Sequence, residues 1–318
     1  MMIMILKICF LLLVINYGTC AKPNILLIIV DDLKPVLGCF GDINAYTPNI
    51  DRLADKSFVF KNVFAQQALC APSRNSLLTS RRPDSLHLYD FDSYWRSTVG
   101  NFTTIPQYFK ENGYHTYSIG KVFHPGKSSN FTDDYPFSWS KPTFHPKTEQ
   151  FMNSPVCVDI DGSLVKNLIC PVIVESQPGN TLPDIESLNE AVNFLEQRRN
   201  STEPYFLAVG FHKPHVPFKF PNEYLGWSRG EHGEFSKFSN YDEATKVPLI
   251  IHIPGLSTGE VISDALVELV DLFPTLVDLT QVAEALPLCP KHGNRLACTE
   301  GRSLAPYMAY KKWERWLV

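Results

Sequence analysis

The chain has 318 residues, of which 44% are hydrophobic and 19% are charged. This composition is typical of a globular protein with one large or two modest domains, and it excludes a disordered or fibrous chain. The formal net charge of -4 excludes a general nucleic-acid binder, whose affinity comes mainly from basic contacts to phosphate, so any recognition of an anion must be local.

The first residues predict a secretion signal. A single charge at Lys7 precedes the apolar run 8–15, and small residues follow before the polar start of the next segment. We therefore expect a signal peptide over residues 1–20 and a mature α/β domain over residues 21–318. The alternative, a membrane anchor, needs about 20 apolar residues, so we expect no stable membrane insertion. Three Asn-x-Ser/Thr triplets fit a glycosylated exported protein: Asn101, Asn130 and Asn200.

An exported protein is expected to form disulfides. Short polar loops separate Cys157 from Cys170 and Cys289 from Cys298, and closing a loop of that size stabilises a fold by about 3 kcal/mol. Beyond the signal, Cys39 and Cys70 are left, and the cysteine count alone permits a third disulfide between them.

The first half of the chain predicts two strand and helix units. Residues 25–30 are a run of branched apolar residues, typical of a strand buried on both faces of a parallel sheet. Pro48 predicts the start of a short helix, followed by a strand from Phe58. A second unit has a helix between Thr104 and Gly113 and then a strand over residues 114–121.

The second half continues the alternation. A helix with Leu188 and Val192 on one side, for which Asp184 is the expected cap, precedes a strand that begins at Tyr205. Residues 247–253 predict one more strand, and residues 264–282 predict a helix interrupted at Pro274. We therefore expect an α/β fold with a mainly parallel central sheet flanked by helices, and a site beyond the carboxyl ends of its strands.

Polar clusters follow three of the predicted strands: Asp31 and Asp32, then Lys121 with His124, then His212, Lys213 and His215. A parallel sheet would gather them at one edge. Paired carboxylates suit a hard cation such as calcium, whereas lysine and histidine suit an anionic substrate and the transfer of its protons. Each cluster also has a structural interpretation, because adjacent acids serve as turns or caps and single histidines are often structural or exposed.

Cys70 is expected at the start of a helix that includes Leu77 and Leu78. The unpaired N–H groups of a helix start favour a negative ligand by roughly 0.3–1 kcal/mol. An oxygen-rich anion would therefore bind there.

The sequence "CAPSR" at residues 70–74, followed by "LLTSRRP", resembles the signature of the type I sulfatases, whose cysteine is oxidised during secretion to formylglycine. The segments "GKVFHPG", "HKPH" and "GEHGEFSKFSNYDEATKVPLI" are similar to the same family. More narrowly, "LYDFDSYWR", "IPQYFKENGY" and "TDDYPFSWS" resemble the lysosomal members that remove 2-O-sulfate from iduronate in heparan and dermatan sulfate. The resemblance extends from Lys22 to about Leu304.

This resemblance implies an alkaline-phosphatase-like sulfatase fold and a sulfuric ester hydrolase of the secretory pathway, lysosomal or extracellular. The implied partners are a sulfated glycosaminoglycan and the formylglycine-generating enzyme. The implied roles are calcium binding by Asp31, Asp32 and residue 70, support of formylglycine by Arg74, neutralisation of sulfate by Lys121 and Lys237, assistance of elimination by His124, and hydrogen bonding to the sulfate or leaving group by His212.

The chain departs from the family pattern at the metal site. Relatives complete that site with Asp-His before Gly-Trp at the end of a further buried strand, whereas Tyr224 and Leu225 precede Gly226 and Trp227 here. We therefore expect that an internal, metal-bearing segment is missing. Ser80 also replaces the usual glycine, and most of the C-terminal subdomain is expected to be absent.

Three functional hypotheses follow. The first is a sulfatase with impaired activity, and the second is a non-catalytic binder of sulfated glycans. A phosphatase-like relative ranks last, because that branch has serine or threonine at the position of Cys70.

Overall fold

The computed structural model describes residues 22–224, 241–290 and 295–308. The predicted signal peptide over residues 1–20, Leu225 to Trp227 and Lys237 lie outside these residues. Within the described ranges, no helix has both the length and the apolar character needed to cross a membrane.

The strands of the described residues are short to medium in length. In chain order they are β1 (Ile25–Val30), β2 (Phe58–Phe64), β3 (His115–Gly120), β4 (Cys157–Val158), β5 (Leu164–Val165), β6 (Ile169–Val172), β7 (Tyr205–Phe211), β8 (Phe218–Pro221), β9 (Lys246–Ile251) and β10 (Val261–Glu268).

Helices lie between many of these strands, and four of them follow one another between β2 and β3. The helices are α1 (Pro48–Ala54), α2 (Cys70–Thr79), α3 (Pro83–Leu86), α4 (Trp95–Thr98), α5 (Ile105–Glu111), α6 (Pro183–Gln197), α7 (Asp242–Thr245) and α8 (Leu272–Thr280). Short 3₁₀ turns cover Gly38–Phe40, Lys127–Ser129, Lys147–Phe151, Val174–Ser176, Asn222–Tyr224 and Leu269–Asp271.

The sheet that positions the site has the order β1-β7-β3, and all its strands are parallel. Val30 pairs with Phe211, and Gly120 pairs with Gly210, so the three strands end at nearly the same level. The strands approach closely at this edge, because a Cβ on Gly120 would lie 2.3 Å from the Gly210 carbonyl oxygen. The predicted gathering of the three polar clusters at one sheet edge is therefore confirmed.

Helices cover both faces of this sheet, but not completely. One face, with Phe206 and Ala208 at its centre, packs against α2, α5 and α8 in the main core. On the other face, α6 packs against β3 and β7. Leu26 and Ile28 of β1 pair in register with β7 residues on that second face, yet they are 49% and 54% exposed. Helix α6 therefore covers β3 and β7 on this side of the sheet but leaves β1 uncovered.

A second sheet, of order β10-β2-β9, forms its own core around Phe60, Val63 and Val267. It corrects the predicted helix over residues 264–282, because Asp264 lies within strand β10 and the helix begins at Leu272. Pro274 lies in the first turn of α8 and does not interrupt it, since a first-turn residue needs no backbone donor. The α/β fold with mainly parallel pairing is confirmed.

The predicted disulfides Cys157–Cys170 and Cys289–Cys298 are both present. Cys39 and Cys70 are not joined by a disulfide, so the alternative of a third bridge is wrong in this structure.

Candidate active site

The site is built around Asp31, which directly follows β1 and is 4% exposed. Arg74 places its guanidinium 3.1 Å from Oδ1 of Asp31, and the Lys121 ammonium donates to Oδ2 at 2.5 Å. Both cationic residues are 5% exposed. Arg74 of α2 and Lys121, which follows β3, therefore both contact the carboxylate of Asp31, and all three are predicted site residues.

Cys70 is the first residue of α2, as predicted, and it is buried beside this carboxylate. Its Sγ lies 3.4 Å from Asp31 Oδ1 and 3.6 Å from Lys121 Nζ. Arg74, one turn further along α2, also donates to the carbonyl oxygens of Lys121 and Val122. The side chain at position 70 therefore lies next to a hydrogen-bond acceptor and a cation.

The electrostatic balance keeps Asp31 ionised. Burial alone would raise the pKa of Asp31, but the charges of Arg74, Lys121 and His215 outweigh it and hold that pKa far below the usual value of 3.8. The opposite effect acts on His124, because burial and the charges of Lys121 and Arg74 lower its pKa from 6.5 to about 4.

His124 is therefore a neutral imidazole at neutral and mildly acidic pH. Its Nδ1 is buried without a hydrogen-bond partner among the described residues, and the Phe91 ring lies 4.6 Å from its own. A neutral, buried imidazole beside two cations is suited to accept a proton.

His212 lies between two carboxylates. Its Nε2 is 3.2 Å from Glu149, and its Nδ1 is 3.4 Å from Asp184. Asp184 also accepts the backbone N–H groups of His212 and Lys213. The prediction of Asp184 as the cap of α6 is wrong, because Leu182 holds the cap position and Asp184 fixes the loop after β7.

The sequence did not predict a network of acidic and basic side chains that contacts His212 through Glu149. His145 donates from Nε2 to the Asp133 carboxylate at 2.7 Å, and its Nδ1 lies 3.4 Å from Glu149. Hydrogen bonds to Asp133 and Glu149 raise the pKa of His145 to about 10. Asp133 lies in the segment "TDDYPFSWS", but His145 and Glu149 lie after it, so no local pattern identified the three residues together.

His215 was expected in the third polar cluster, but it was given no role of its own. It is the last residue of "HKPH", and its Nε2 lies 3.8 Å from Oδ2 of Asp32. One ligand atom each of His215, Asp31 and Cys70 lies within 4.8 Å of the others. The position of "HKPH" at a strand end indicated a functional histidine, but only His212 of its two histidines was assigned a role.

The described residues do not form a calcium cage. Calcium takes 6–8 oxygen ligands, whereas the carboxylates here are those of Asp31 and Asp32, beside a thiol and an imidazole. Both oxygens of Asp31 already contact Arg74 or Lys121. Tyr224, which stands where an acid was expected, is 59% exposed and offers no carboxylate.

Ser80 ends α2 in the left-handed region at a φ of 54°, where glycine is favoured. Its hydroxyl bonds to the carbonyl of Val270 and, at 2.7 Å, to Thr299. These bonds hold a serine in a conformation that glycine adopts more readily.

The Sulfatase family model matches residues 23–237. Iduronate 2-sulfatase of Mus musculus is 40% identical over 407 aligned positions, covering 90% of this chain and 73% of the mouse protein. Iduronate 2-sulfatase of Homo sapiens is 39% identical over 412 positions, covering 92% of this chain and 75% of the human protein. Since 92% of 318 residues is about 293, about 120 of those 412 positions have no residue of this chain opposite them.

Solved structures support the same fold. Phosphonate monoester hydrolase from Silicibacter pomeroyi superposes with a TM-score of 0.64 at 16% identity, covering 91% of this chain and 77% of that one. At this identity the likeness concerns the fold alone. A family match over most of the chain and relatives near 40% identity agree with the residues gathered around Cys70, and on these grounds the chain belongs to the sulfatase family.

Proposed function

We propose that this chain derives from a hydrolase of the 2-O-sulfate esters of iduronate in heparan and dermatan sulfate, and that its own activity is impaired. The observation that carries the proposal is Cys70, which begins α2 inside "CAPSR" and contacts Asp31 and Lys121. The similarity to iduronate 2-sulfatases supports the substrate class.

The proposed modification of Cys70 to formylglycine fits its surroundings. A hydrated formylglycine at position 70 supplies a hydroxyl that attacks the sulfur of a sulfate ester. Asp31 lies where it would accept a hydrogen bond from such a group, and Lys121 lies where it would donate one. The formylglycine-generating enzyme of the secretory pathway is the partner that this modification requires.

Lys121 is the proposed residue that neutralises the sulfate oxygens, and Arg74, within α2, supports the formylglycine. The charge-assisted donor of Lys121 would stabilise negative charge as it develops on the sulfate. Lys237, outside the described residues, is proposed for the same role. His212 is proposed to donate a hydrogen bond to the sulfate or leaving group, and for this its Nε2 would have to turn away from Glu149, because Nδ1 faces Asp184.

His124 is the proposed proton acceptor when sulfate leaves. Its lowered pKa keeps the ring neutral at the mildly acidic pH of a lysosome. Its buried Nδ1 is the nitrogen that takes the proton.

Two observations support impairment through a missing internal segment. About 120 aligned positions of the human relative lack a counterpart, and Leu26 and Ile28 leave part of a sheet face exposed. The expected consequence is loss of metal ligands. If the metal contributes about 4 kcal/mol to the transition state, its loss lowers the rate about a thousandfold.

The test is turnover of a fluorogenic iduronate 2-sulfate at mildly acidic pH. The secreted chain, its Cys70→Ala variant and the mouse relative would be compared at equal concentration. We expect the chain to be about a thousandfold slower than the relative and Cys70→Ala to abolish the remainder. A rate near that of the relative would contradict impairment, and equal rates for the chain and Cys70→Ala would contradict the hydrolase assignment.

A non-catalytic binder of sulfated glycans is the second candidate. Two observations favour it. Arg74 and Lys121 are cations at the site, and the potential metal ligands beside them do not form a calcium cage. This candidate would be supported if the wild-type chain binds heparan sulfate without turning it over and Lys121→Met loses the binding.

A further inference from the structure

Three potential metal ligands of different chemistry meet at the carboxyl edge of the β1-β7-β3 sheet. Asp31 follows β1, Cys70 begins α2, and His215 lies in the loop after β7. Their ligand atoms lie within 4.8 Å of one another, and they are the one such group of three that the described residues contain. We propose that the chain whose Cys70 remains a thiol binds a zinc-class divalent ion through Asp31, Cys70 and His215.

The distances are close to those of a tetrahedral site. Ligand bonds of about 2.3 Å for sulfur and about 2.0 Å for oxygen place the two ligand atoms about 3.5 Å apart. The separation of Cys70 Sγ from Asp31 Oδ1 is 3.4 Å. These two ligands therefore need no movement, and His215 needs a shift of about 1 Å to join them.

The tautomer of His215 suits a metal ligand. Its Nδ1 is bonded to the backbone carbonyl oxygen of Val216. Because a carbonyl oxygen only accepts, Nδ1 carries a proton, and in the neutral ring the lone pair is therefore on Nε2. A backbone carbonyl that fixes the ring in this way is a common support of metal-bound histidine. The same Nε2 is the atom near Asp32, whose carboxylate can supply a fourth ligand.

The donor set selects the class of ion. Thiolate, imidazole and one or two carboxylates are typical zinc ligands, whereas calcium requires a cage of oxygens. When the ion binds, the Cys70 S–H bond breaks, its proton passes to solvent, and the sulfur electron pair forms the metal bond. No change of oxidation state occurs.

Of the two cations that contact Asp31, Lys121 can stay in place and Arg74 has to move for the ion to bind. Lys121 bonds to Oδ2 of Asp31, which leaves Oδ1 to the ion. Arg74 would loosen its 3.1 Å contact with Oδ1 and keep its 3.0 Å bond to the Val122 carbonyl. Asp31, Asp32 and the thiolate would then present three negative charges to the ion, beside the positive charges of Arg74, Lys121 and, further away, Lys213.

The test uses the full chain with Cys70 as thiol, produced without the formylglycine-generating enzyme, and cobalt(II) as the spectroscopic probe. We expect one cobalt per chain, with a thiolate-to-cobalt charge-transfer band and tetrahedral d–d bands that zinc abolishes. Cys70→Ser should remove the charge-transfer band, and His215→Gln should weaken binding at least tenfold. The matched controls Cys39→Ser and His252→Gln should retain wild-type spectra.

A second measurement needs no variant. Zinc should protect Cys70, but not Cys39, from alkylation in the wild-type chain, as read by peptide mass spectrometry. A charge-transfer band that persists in Cys70→Ser, an unchanged affinity in His215→Gln, or equal alkylation of Cys70 with and without zinc would overturn the proposal. None of these readouts uses turnover, so their failure is distinct from failure of the proposed hydrolase.

Discussion

Replacement of Asp31 by asparagine is predicted to destabilise the fold strongly. The substitution keeps the size of the side chain but removes the charge that faces Arg74 and Lys121. Both cationic residues are 5% exposed, so they would remain buried without their counter-ion. Removing one partner of a buried ion pair lowers the free energy of unfolding by about 3–5 kcal/mol.

Asp92→Asn is the matched control for this substitution. Asp92 pairs with Lys127 at 2.9 Å, but the two side chains are 69% and 63% exposed. An exposed pair contributes about 0–1 kcal/mol, so the control should barely change stability. The assay is urea unfolding followed by tryptophan fluorescence at neutral pH, with each variant compared with the wild-type chain.

The loss of stability in Asp31→Asn should depend on pH. The folded pKa of Asp31 lies below its usual value of 3.8, so its charge stabilises the fold above that pH, and the stabilisation is lost as the pH falls through the folded pKa. The difference between wild type and Asp31→Asn should therefore shrink below about pH 4. If Asp31→Asn loses no more stability than Asp92→Asn at neutral pH, the buried charge cluster is wrongly described.

Three further outcomes are expected. Because the pKa of His124 is lowered to about 4, the wild-type chain should lose stability as the pH falls from 6.5 to 4. In urea unfolding, the free energy of unfolding of His124→Gln should fall by about 1–2 kcal/mol less than that of the wild type over this range, and equal losses would contradict the shift. Replacing Cys157 and Cys170 together by serine should lower the free energy of unfolding by about 3 kcal/mol, and non-reducing peptide maps of the wild type that show another pairing would contradict the bridge. Replacing Leu26 and Ile28 by threonine should reduce binding of a hydrophobic dye and the fraction of sedimenting aggregates, whereas unchanged aggregation would show that this face is not responsible.

The strands that position the site were predictable because their sequences are locally unambiguous. The branched run of β1 ends abruptly in two acids, and Pro48 and Cys70 begin helices as predicted. Parallel pairing then brings Lys121 and Asp31 together without further information, since the register aligns the strand ends.

The remaining contacts depend on tertiary structure. Apolar residues of β10 were mistaken for part of a helix because the strand runs directly into α8 with one 3₁₀ turn between them. Asp184 has the sequence context of a cap, but its carboxylate bonds the loop after β7. The links from His212 to Glu149 and from His215 to Asp32 join segments far apart in the chain, so no local spacing predicts them.

The proposed hydrolase function depends most directly on the chemical state of residue 70 in the secreted chain. Mass spectrometry of the peptide that contains residues 68–74 measures this state without any assumption about substrate or metal. We predict the formylglycine mass in at least part of the protein secreted by cells that contain the formylglycine-generating enzyme, because "CAPSR" is intact. A peptide found only as the thiol, or only in a disulfide with Cys39, would contradict it.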